Sequence, residues 1–557
     1  MAKKTDNDRL KEIKSRFSQL EEERRRFESR WITAQNYTSA SVYDWENLDC
    51  IPSLPKRFSS SPCHYLSILV SGLVGYSISP NIVWFKLSLE DFSQTSLYGV
   101  KDWLEQVEEI MTAEFKRSNL YSQAEKMIKD AATIGHGVML CDYDIASQRL
   151  RFTTERSNEI YLDCNSFGEV DTVYRRFLIT LRNAVEFFGL EALDEDRREA
   201  YKNVARWNDK IEILQVVEPR RNRDTGKPDA KNMPFACYFI DRAKNKIIQE
   251  SGYIENPFAV FQWNQIAGFA YSESPVQGAM TDIKALNIME ETRLKIAQTS
   301  AEPPMQVSDS VRNLSLVPAG VTYTKKDEQI QPIRTGENYP IALDVVQQKQ
   351  QEVKDWFNVD FFLMLQQKQG QMTATEVMEL QGEKAAILSN LIVNLNNALQ
   401  KIISRSFNLL MQNHRLPPPP LALQNAMNNS RMKVDFVGTF AQAQKKYHTM
   451  GGLATAMQTA ATIMQIYPNS ADYINADELM KRALEGQGMP QAIIREDKDV
   501  EKIREMRAQQ EQAAQQQAQQ QEMLNTMMKS SGGLSKPIEQ GSMMDAINKQ
   551  LAGGLQQ

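Results

Sequence analysis

Four histidines, five cysteines and two glycine-flanked turns are the residues of this 557-residue chain best suited to chemistry. A zinc centre needs imidazole or thiolate ligands at fixed spacing, such as two histidines one helical turn apart with a glutamate beside the first. His64, His136, His414 and His448 show no such spacing, and Cys50, Cys63, Cys141, Cys164 and Cys237 form no C-x-x-C pair, so no metal site is readable. An odd set of thiols with no signal peptide ahead of it reads as reduced cysteines in a cytoplasm. Gly226-Lys227 has the ending of a phosphate loop, but Pro228 stands where Ser or Thr would hold magnesium and Arg221 where the first glycine belongs. Gly135-His136-Gly137 lacks the rest of a dinucleotide fingerprint and precedes a strand pattern, so it reads as a turn. Acidic residues are plentiful, yet no sequence rule singles out an acid/base pair. The chain reads as structural, with no enzymatic activity, no metal and no cofactor.

A chain of this length divides into several domains at roughly 150 residues each. Apolar residues at 42% and charged residues at 24% are an ordinary soluble balance. The net charge of −5 argues against a protein whose main task is gripping nucleic acid, and leaves room for local basic patches. Leu66 to Val74, the best apolar run, is broken by Ser and Gly and is too short to span a bilayer. Methionines cluster at Met523, Met527, Met528, Met543 and Met544, which suits adaptable packing between helices.

The chain opens as an amphipathic helix, with Leu10, Ile13, Phe17, Leu20, Phe27 and Trp31 on one stripe and Glu21–Arg25 and Glu22–Arg26 as i,i+4 pairs. Arg24-Arg25-Arg26 follows three glutamates and reads as a solvated face. A turn at Ser79-Pro80 leads to a strand at Trp84 to Leu87, and Val100 to Met127 reads as helices. Short apolar runs bounded by turn residues follow at Gly137 to Cys141, Leu150 to Phe152, Glu159 to Leu162, Val170 to Ile179, Ile211 to Val217, Phe235 to Phe239 and Phe258 to Trp263. The first half is therefore an α+β domain.

A new helix starts at Ser274-Pro275 and runs to about Gln298, where Pro303-Pro304 stop it. β-prone pieces between Leu314 and Ile333 read as a small hairpin module, and a second helix from Ile341 to about Asp360 returns from it. Helix, small β module, helix is a protrusion on a stalk. Gln366, Gln367, Lys368, Gln369, Gly370 and Gln371 then form a polar loop that turns abruptly into a helix start. Thr373 can cap the backbone N–H of Glu376 while Glu376 reaches back, and Met372 can staple onto Val377. Beyond it, Val377, Leu380, Leu388, Leu391, Leu395, Leu399, Ile402 and Leu409 recur at helical spacing toward Pro417 to Pro420. Such a rod of about 40 residues spans roughly 60 Å. Met432 to Val437 reads as one strand, and Phe440 to Ile466 and Asp477 to Leu484 as helices. Glu496 to about Met528 is a glutamine-rich helix, polar all round, that is either frayed or assembled with copies of itself; the Gly/Ser-containing remainder reads as disordered.

This order of motifs resembles the portal, or head-to-tail connector, proteins of short-tailed double-stranded DNA bacteriophages. Early pieces that carry the resemblance are Ser79-Pro80 with Trp84-Phe85, Ser118 to Tyr121, the Gly135/Gly137 turn and Phe167 to Arg176. Later ones are Tyr271 to Pro275 with Asp282 to Asn287, Met372 to Val377, Pro417 to Pro420 and Ile494 to Gln521. Two departures touch local turns: no glycine follows Tyr271, and Phe436 to Ala441 replaces a more usual Ser-Pro-Leu.

The resemblance implies a predominantly helical α+β portal-type fold, assembled as a ring of twelve subunits around a DNA channel. It assigns a wing to 1–270, stem helices to 271–299 and 340–362, a clip to 300–339 and the channel loop to 363–372. The long wing helix and proline turn take 373–433, a crown 434–495, a Gln-rich helical barrel or tail 496–530, and a disordered end 531–557. Gln366 to Gln371 would face DNA, with Met372, Thr373, Glu376 and Val377 as their anchor, and Lys325, Lys326 and Arg334 would be clip contacts or simply solvated turns. The implied partners are double-stranded DNA in transit, terminase, major capsid and scaffolding proteins, tail adaptor and internal core proteins, with no membrane. The implied location is the capsid portal vertex of the virion, after assembly in the bacterial cytoplasm. Two other classes compete with this reading: a packaging ATPase, which needs the missing phosphate loop, and a helical scaffold or tail adaptor, which predicts elongated oligomers without a channel.

Overall fold

A computed structural model describes residues 6–89, 99–227, 229–307, 331–332, 339–367, 388–420, 432–437, 462, 480 and 497–531. The chain forms two compact units, Met1–Thr449 and Met450–Gln557. In the first, α1 (Asp6–Thr38), α2 (Ser61–Ser77), β1 (Phe85–Leu89), α3 (Val100–Arg117) and α4 (Leu120–Ile134) lead into β2 (His136–Asp144) and β3 (Arg149–Thr154). β4 (Ile160–Cys164), β5 (Val170–Thr180), α5 (Leu181–Phe188), α6 (Glu195–Lys202), β6 (Lys210–Pro219), β7 (Phe235–Asp241) and β8 (Lys246–Tyr253) follow. Then come β9 (Phe258–Gln262), β10 (Asn264–Gln265), β11 (Ser272–Glu273), α7 (Pro275–Gly278) and α8 (Met280–Ala301). β12 (Met305–Gln306), β13 (Gln331–Pro332), α9 (Tyr339–Trp356), α10 (Val359–Gln367), α11 (Ser389–Gln412) and β14 (Met432–Phe436) complete it. The second unit contributes α12 (Asp497–Ser531). The α+β reading holds.

β4 to β8 form an antiparallel sheet in sequence order. Alternation along each strand sends successive side chains to opposite faces. Ile160, Leu162, Val173, Ile213, Val217 and Cys237 thus pack on one side. Tyr161, Tyr174, Leu214, Val216, Tyr238 and Ile240 lie on the other, against Leu10, Ile13, Phe17 and Leu20 of α1. The apolar stripe of α1 therefore has a physical destination.

Arg24 departs from the solvated face expected of its run: it is 1% exposed, while Arg25 and Arg26 are exposed. It continues the α1 stripe, and its guanidinium lies 3.8 Å from the Tyr161 ring centroid. It donates to the carbonyls of Asn158 and Ile160, each at 2.9 Å, and pairs with Glu28 at 2.8 Å. A flat cation with carbonyls at its edge and an aromatic ring against its face is satisfied where a solvated charge would not be.

A second core holds α2, α3, α4 and the sheet β3-β2-β9 together with α11. β14 pairs antiparallel with β1 from Phe85↔Phe436 to Leu89↔Met432, and Val434 enters this core. The start of the segment expected to form a crown therefore belongs to the body. The helices expected after it lie, apart from single helical positions at 462 and 480, outside the described residues. Sequence reading also missed α5, α6 and β8, each only eight residues long.

Candidate functional site

Ser274 starts the stalk. Its hydroxyl accepts the Gln277 N–H at 3.1 Å while Gln277 reaches back to the Ser274 N–H, a complete capping box with Pro275 in the first turn. The same hydroxyl donates to the Thr133 carbonyl at 2.9 Å, and the Gln277 amide donates to the Ile134 carbonyl at 3.3 Å. The stalk is thus fixed to the end of α4, which closes at Gly135 with φ +104°. A side chain there would meet the Ser272 carbonyl oxygen at 1.9 Å, so only glycine fits.

Helices α8 and α9 run back along one another. Asp282 accepts from Lys349 at 3.0 Å and from the Trp356 indole at 3.3 Å, and Glu290 accepts from Gln350 at 3.3 Å. Lys349, as donor, holds the Asp282 carboxyl below the usual range. The Trp356 ring packs on Gly278, where a Cβ would approach it to 2.8 Å. At the far end β12 and β13 pair antiparallel, Met305 with Pro332 and Gln306 with Gln331. The segment that leaves α8 and the one that enters α9 are thus paired where they meet.

The surface of the pair is nearly neutral. Asp282, Glu290 and Glu291 balance Lys284, Arg293 and Lys295 on α8, and Gln347, Gln348, Gln350 and Gln351 dominate the middle of α9. The internal seam is Ile283, Leu286, Val346 and Val353. Ile288 and Leu294 remain 58% and 43% exposed. One helix pair cannot cover all of its own apolar side chains.

The expected second stem helix is broken. It ends at Trp356, Asn358 takes φ +50°, and α10 begins at Val359. Asparagine tolerates this left-handed conformation better than most side chains, so the sequence permits a sharp break without glycine. The Phe362 ring then seats on Gly72 of α2, where a Cβ would lie 2.2 Å from it. Leu363 to Gln367, expected in the channel loop, are helical, so Gln366 and Gln367 occupy the last turn of α10. Lys368, Gln369, Gly370, Gln371, Met372, Thr373, Glu376 and Val377 lie outside the described residues, as do Lys325, Lys326 and Arg334. Downstream, α11 carries Leu391, Leu395, Leu399, Ile402 and Leu409 into the core, as their spacing predicted.

A cleft of about 1020 Å³ at the stalk base is lined by Trp263, Asp282, Glu352, Asp355, Trp356 and Asn358, among others. Sequence reasoning did not find it, because its residues converge from distant segments. Gly135-His136-Gly137 behaves as the predicted turn into a strand. His136 is buried among Trp31 and Tyr271, and desolvation with Arg24 nearby pushes its pKa down to about 3, so it stays neutral. Desolvation raises Glu108, beneath the Leu87 N–H, and Asp130, beside Ser157, each to about 7. These two carboxyls sit on separate elements with separate partners. Among the described residues no cluster of His, Cys, Asp and Glu has metal-binding geometry, and no helix is long and apolar enough to cross a membrane.

A family described as "Bacteriophage head to tail connecting protein" matches residues 10–494. The chain is 29% identical over 525 residues to the portal protein of Salmonella phage epsilon15, covering 89% of this chain and 90% of that one. It is 27% identical over 531 residues to a probable portal protein of Bordetella phage BPP-1, covering 92% and 93% respectively.

Proposed function

The chain belongs to the family of bacteriophage head-to-tail connecting proteins, and from that premise we propose that it is the subunit of a portal ring. DNA enters and leaves the capsid through the ring, at one vertex of the virion. Terminase docks on it during packaging and tail adaptors afterwards, while the body contacts capsid, scaffolding and internal core proteins. The observation that carries this reading is the helix pair α8–α9, pinned at one end by Ser274 and Gln277 and left with Ile288 and Leu294 uncovered. Copies arranged head to tail cover such faces and close into a ring when the rotation is right.

The neutral, amide-rich surface of the pair suits a conduit. A wall that neutralised many phosphates would hold DNA with steep, salt-dependent affinity and stall it. The polar run Lys368 to Gln371, which follows α10 in sequence and adds one cation per subunit, is the DNA-facing loop of this reading. Thr373 and Glu376 are its anchoring cap, with Met372 and Val377 as the staple. Lys325 and Lys326, between β12 and β13 in sequence, and Arg334, just after β13, are the contacts for terminase or adaptor. The ring has twelve subunits, and assembly takes place in the host cytoplasm.

Electron microscopy of the purified protein tests the reading: discrete rings with a central hole are expected, and monomers or elongated oligomers without a hole would overturn it. For the loop, Lys368→Glu combined with Gly370→Pro should lower packaging yield or genome retention in an infection assay. Unchanged values of both would remove the loop from the mechanism.

A further inference from the structure

The loop between β6 and β7 holds five cations and two carboxylates between 220 and 231, in a chain whose net charge is −5. Its Gly226-Lys227 pair does not complete a phosphate loop, yet the charge around it is not neutralised locally. At the opposite end of the same sheet, Arg182, Arg197, Arg206, Arg242 and Lys244 each meet a carboxylate: Glu186, Asp194, Asp209, Glu212 and Asp194 with Asp196. In the β6–β7 loop Lys227 reaches Asp224 at 3.6 Å, while the exposed Arg221, Arg223 and Lys231 have no ion pair among the described residues.

The loop is also held in place. Arg220 has a structural role, pairing with Glu250 at 2.8 Å while its N–H donates to the Pro234 carbonyl at 2.7 Å. The Asn232 side chain accepts the Asp224 N–H at 3.0 Å, and Asp224 in turn accepts the Gly226 N–H at 3.1 Å. The loop folds back over β8 so closely that a Cβ on Gly252 would lie 2.3 Å from the Ala230 carbonyl oxygen. Cations on an ordered base lose less freedom on meeting a partner than cations on a loose chain.

We propose that this loop is a sequence-independent contact for the phosphate backbone of duplex DNA, separate from the stalk. Two readings compete, and composition decides between them. A protein partner needs an apolar centre with aromatic anchors, and none of the exposed large apolar side chains falls between Val204 and Ile254. Phosphates need only cations. The exposed Phe167 and Ile254 lie at the same end of the sheet but on other connections, so they define the protein-partner alternative. The proposal goes beyond the portal reading, and the imaging test of that reading has no bearing on it.

The experiment measures binding of a fluorescent duplex of arbitrary sequence to the purified full chain across a salt series. The native chain should bind with affinity that falls as salt rises. The variant R221Q/R223Q/K231Q should make the log–log salt slope shallower by about 2.7, near 0.9 for each phosphate no longer neutralised. The control R206Q/K244Q, at the paired end, and F167A should keep the native slope. If the triple variant is not folded by circular dichroism, R223Q alone decides, with an expected change of about 0.9. No binding by the native chain, an unchanged slope, or a slope reduced equally in the control would overturn the proposal. So would displacement of the duplex by polyglutamate at lower charge concentration than by unlabelled DNA, which would favour an acidic protein partner.

Discussion

Each face of the sheet β4–β8 is covered within the chain, by Leu10 to Leu20 of α1 on one side and by a layer that includes Trp31 of α1, Leu181 and Ala184 of α5 and Tyr271 on the other. The helix pair α8–α9 has only a narrow seam and turns Ile288 and Leu294 outward. The body also holds buried ion-pair networks, as in Arg175, which forks onto Glu155 at 2.7 Å and reaches Glu159 at 3.0 Å. The stalk is held by its short apolar seam, by one ion pair, Lys349–Asp282, and by single hydrogen bonds from Trp356 and Gln350. The difference separates two tasks. A body that satisfies itself can fold alone, while a rod that does not leaves apolar surface for the neighbouring copies of the proposed ring to cover.

The body should therefore break hardest. A Cβ on Gly137 would sit 2.1 Å from the Met127 carbonyl oxygen, which is backbone and cannot swing aside. Gly137→Val should cost more than about 3 kcal/mol and remove most soluble folded protein, read by yield and thermal unfolding. In the stalk, Gly278→Ala meets only the edge of the Trp356 ring at 2.8 Å. That ring can shift, so about 1–2 kcal/mol is expected. Equal losses for the two variants would erase the contrast.

Arg24→Met should come next. It keeps the apolar stem but leaves the carbonyls of Asn158 and Ile160 without their donor and Glu28 without its cation. A loss of about 2–4 kcal/mol is expected in denaturant unfolding. Ile288→Glu with Leu294→Glu should do the reverse. These side chains are substantially exposed in the single chain, so its stability should move by less than about 1 kcal/mol while ring formation is lost by light scattering.

What the sequence made legible follows the same division. Periodicity located β5, β6, β7 and the apolar face of α11, though not its start at Ser389, while α8 was found from its Ser-Pro start and its proline stop. It failed at Arg24, where a charged residue occupies an apolar stripe and only the distant carbonyls and Tyr161 explain its burial. It failed also at Phe357-Asn358, where nothing short of the left-handed φ at Asn358 marks the end of α9. The capping box at Ser274 was half legible: the Ser-Pro start was, but its second role, donating to the Thr133 carbonyl, is a tertiary fact. The charge of residues 220–231 could be read directly, yet the absence of ion pairs for Arg221 and Arg223 among the described residues required the fold.

The two regions should also respond to pH with opposite sign. Asp130 has a folded-state pKa of about 7, raised first by desolvation and opposed by the Ser157 hydroxyl at 3.4 Å and by Lys129 and Lys126. An unfolded aspartate titrates near 4. Its stabilising share is therefore complete below about pH 4 and is lost as pH rises through about 7, at up to roughly 1.4 kcal/mol per unit. Asp130→Asn should flatten that loss between about pH 4 and about pH 7 in the thermal unfolding of the body. Asp282 in the stalk is held low by Lys349, so its contribution is present above the usual carboxylate range and disappears on acidification. The pair is well exposed, so the effect there is small and salt-screened. A Cys placed at position 288 or 294 and labelled with a fluorophore should report loosening of the pair below about pH 4 in native protein but not in Asp282→Asn. The same acid response in both proteins would show that the Lys349 contact does not hold the stalk together.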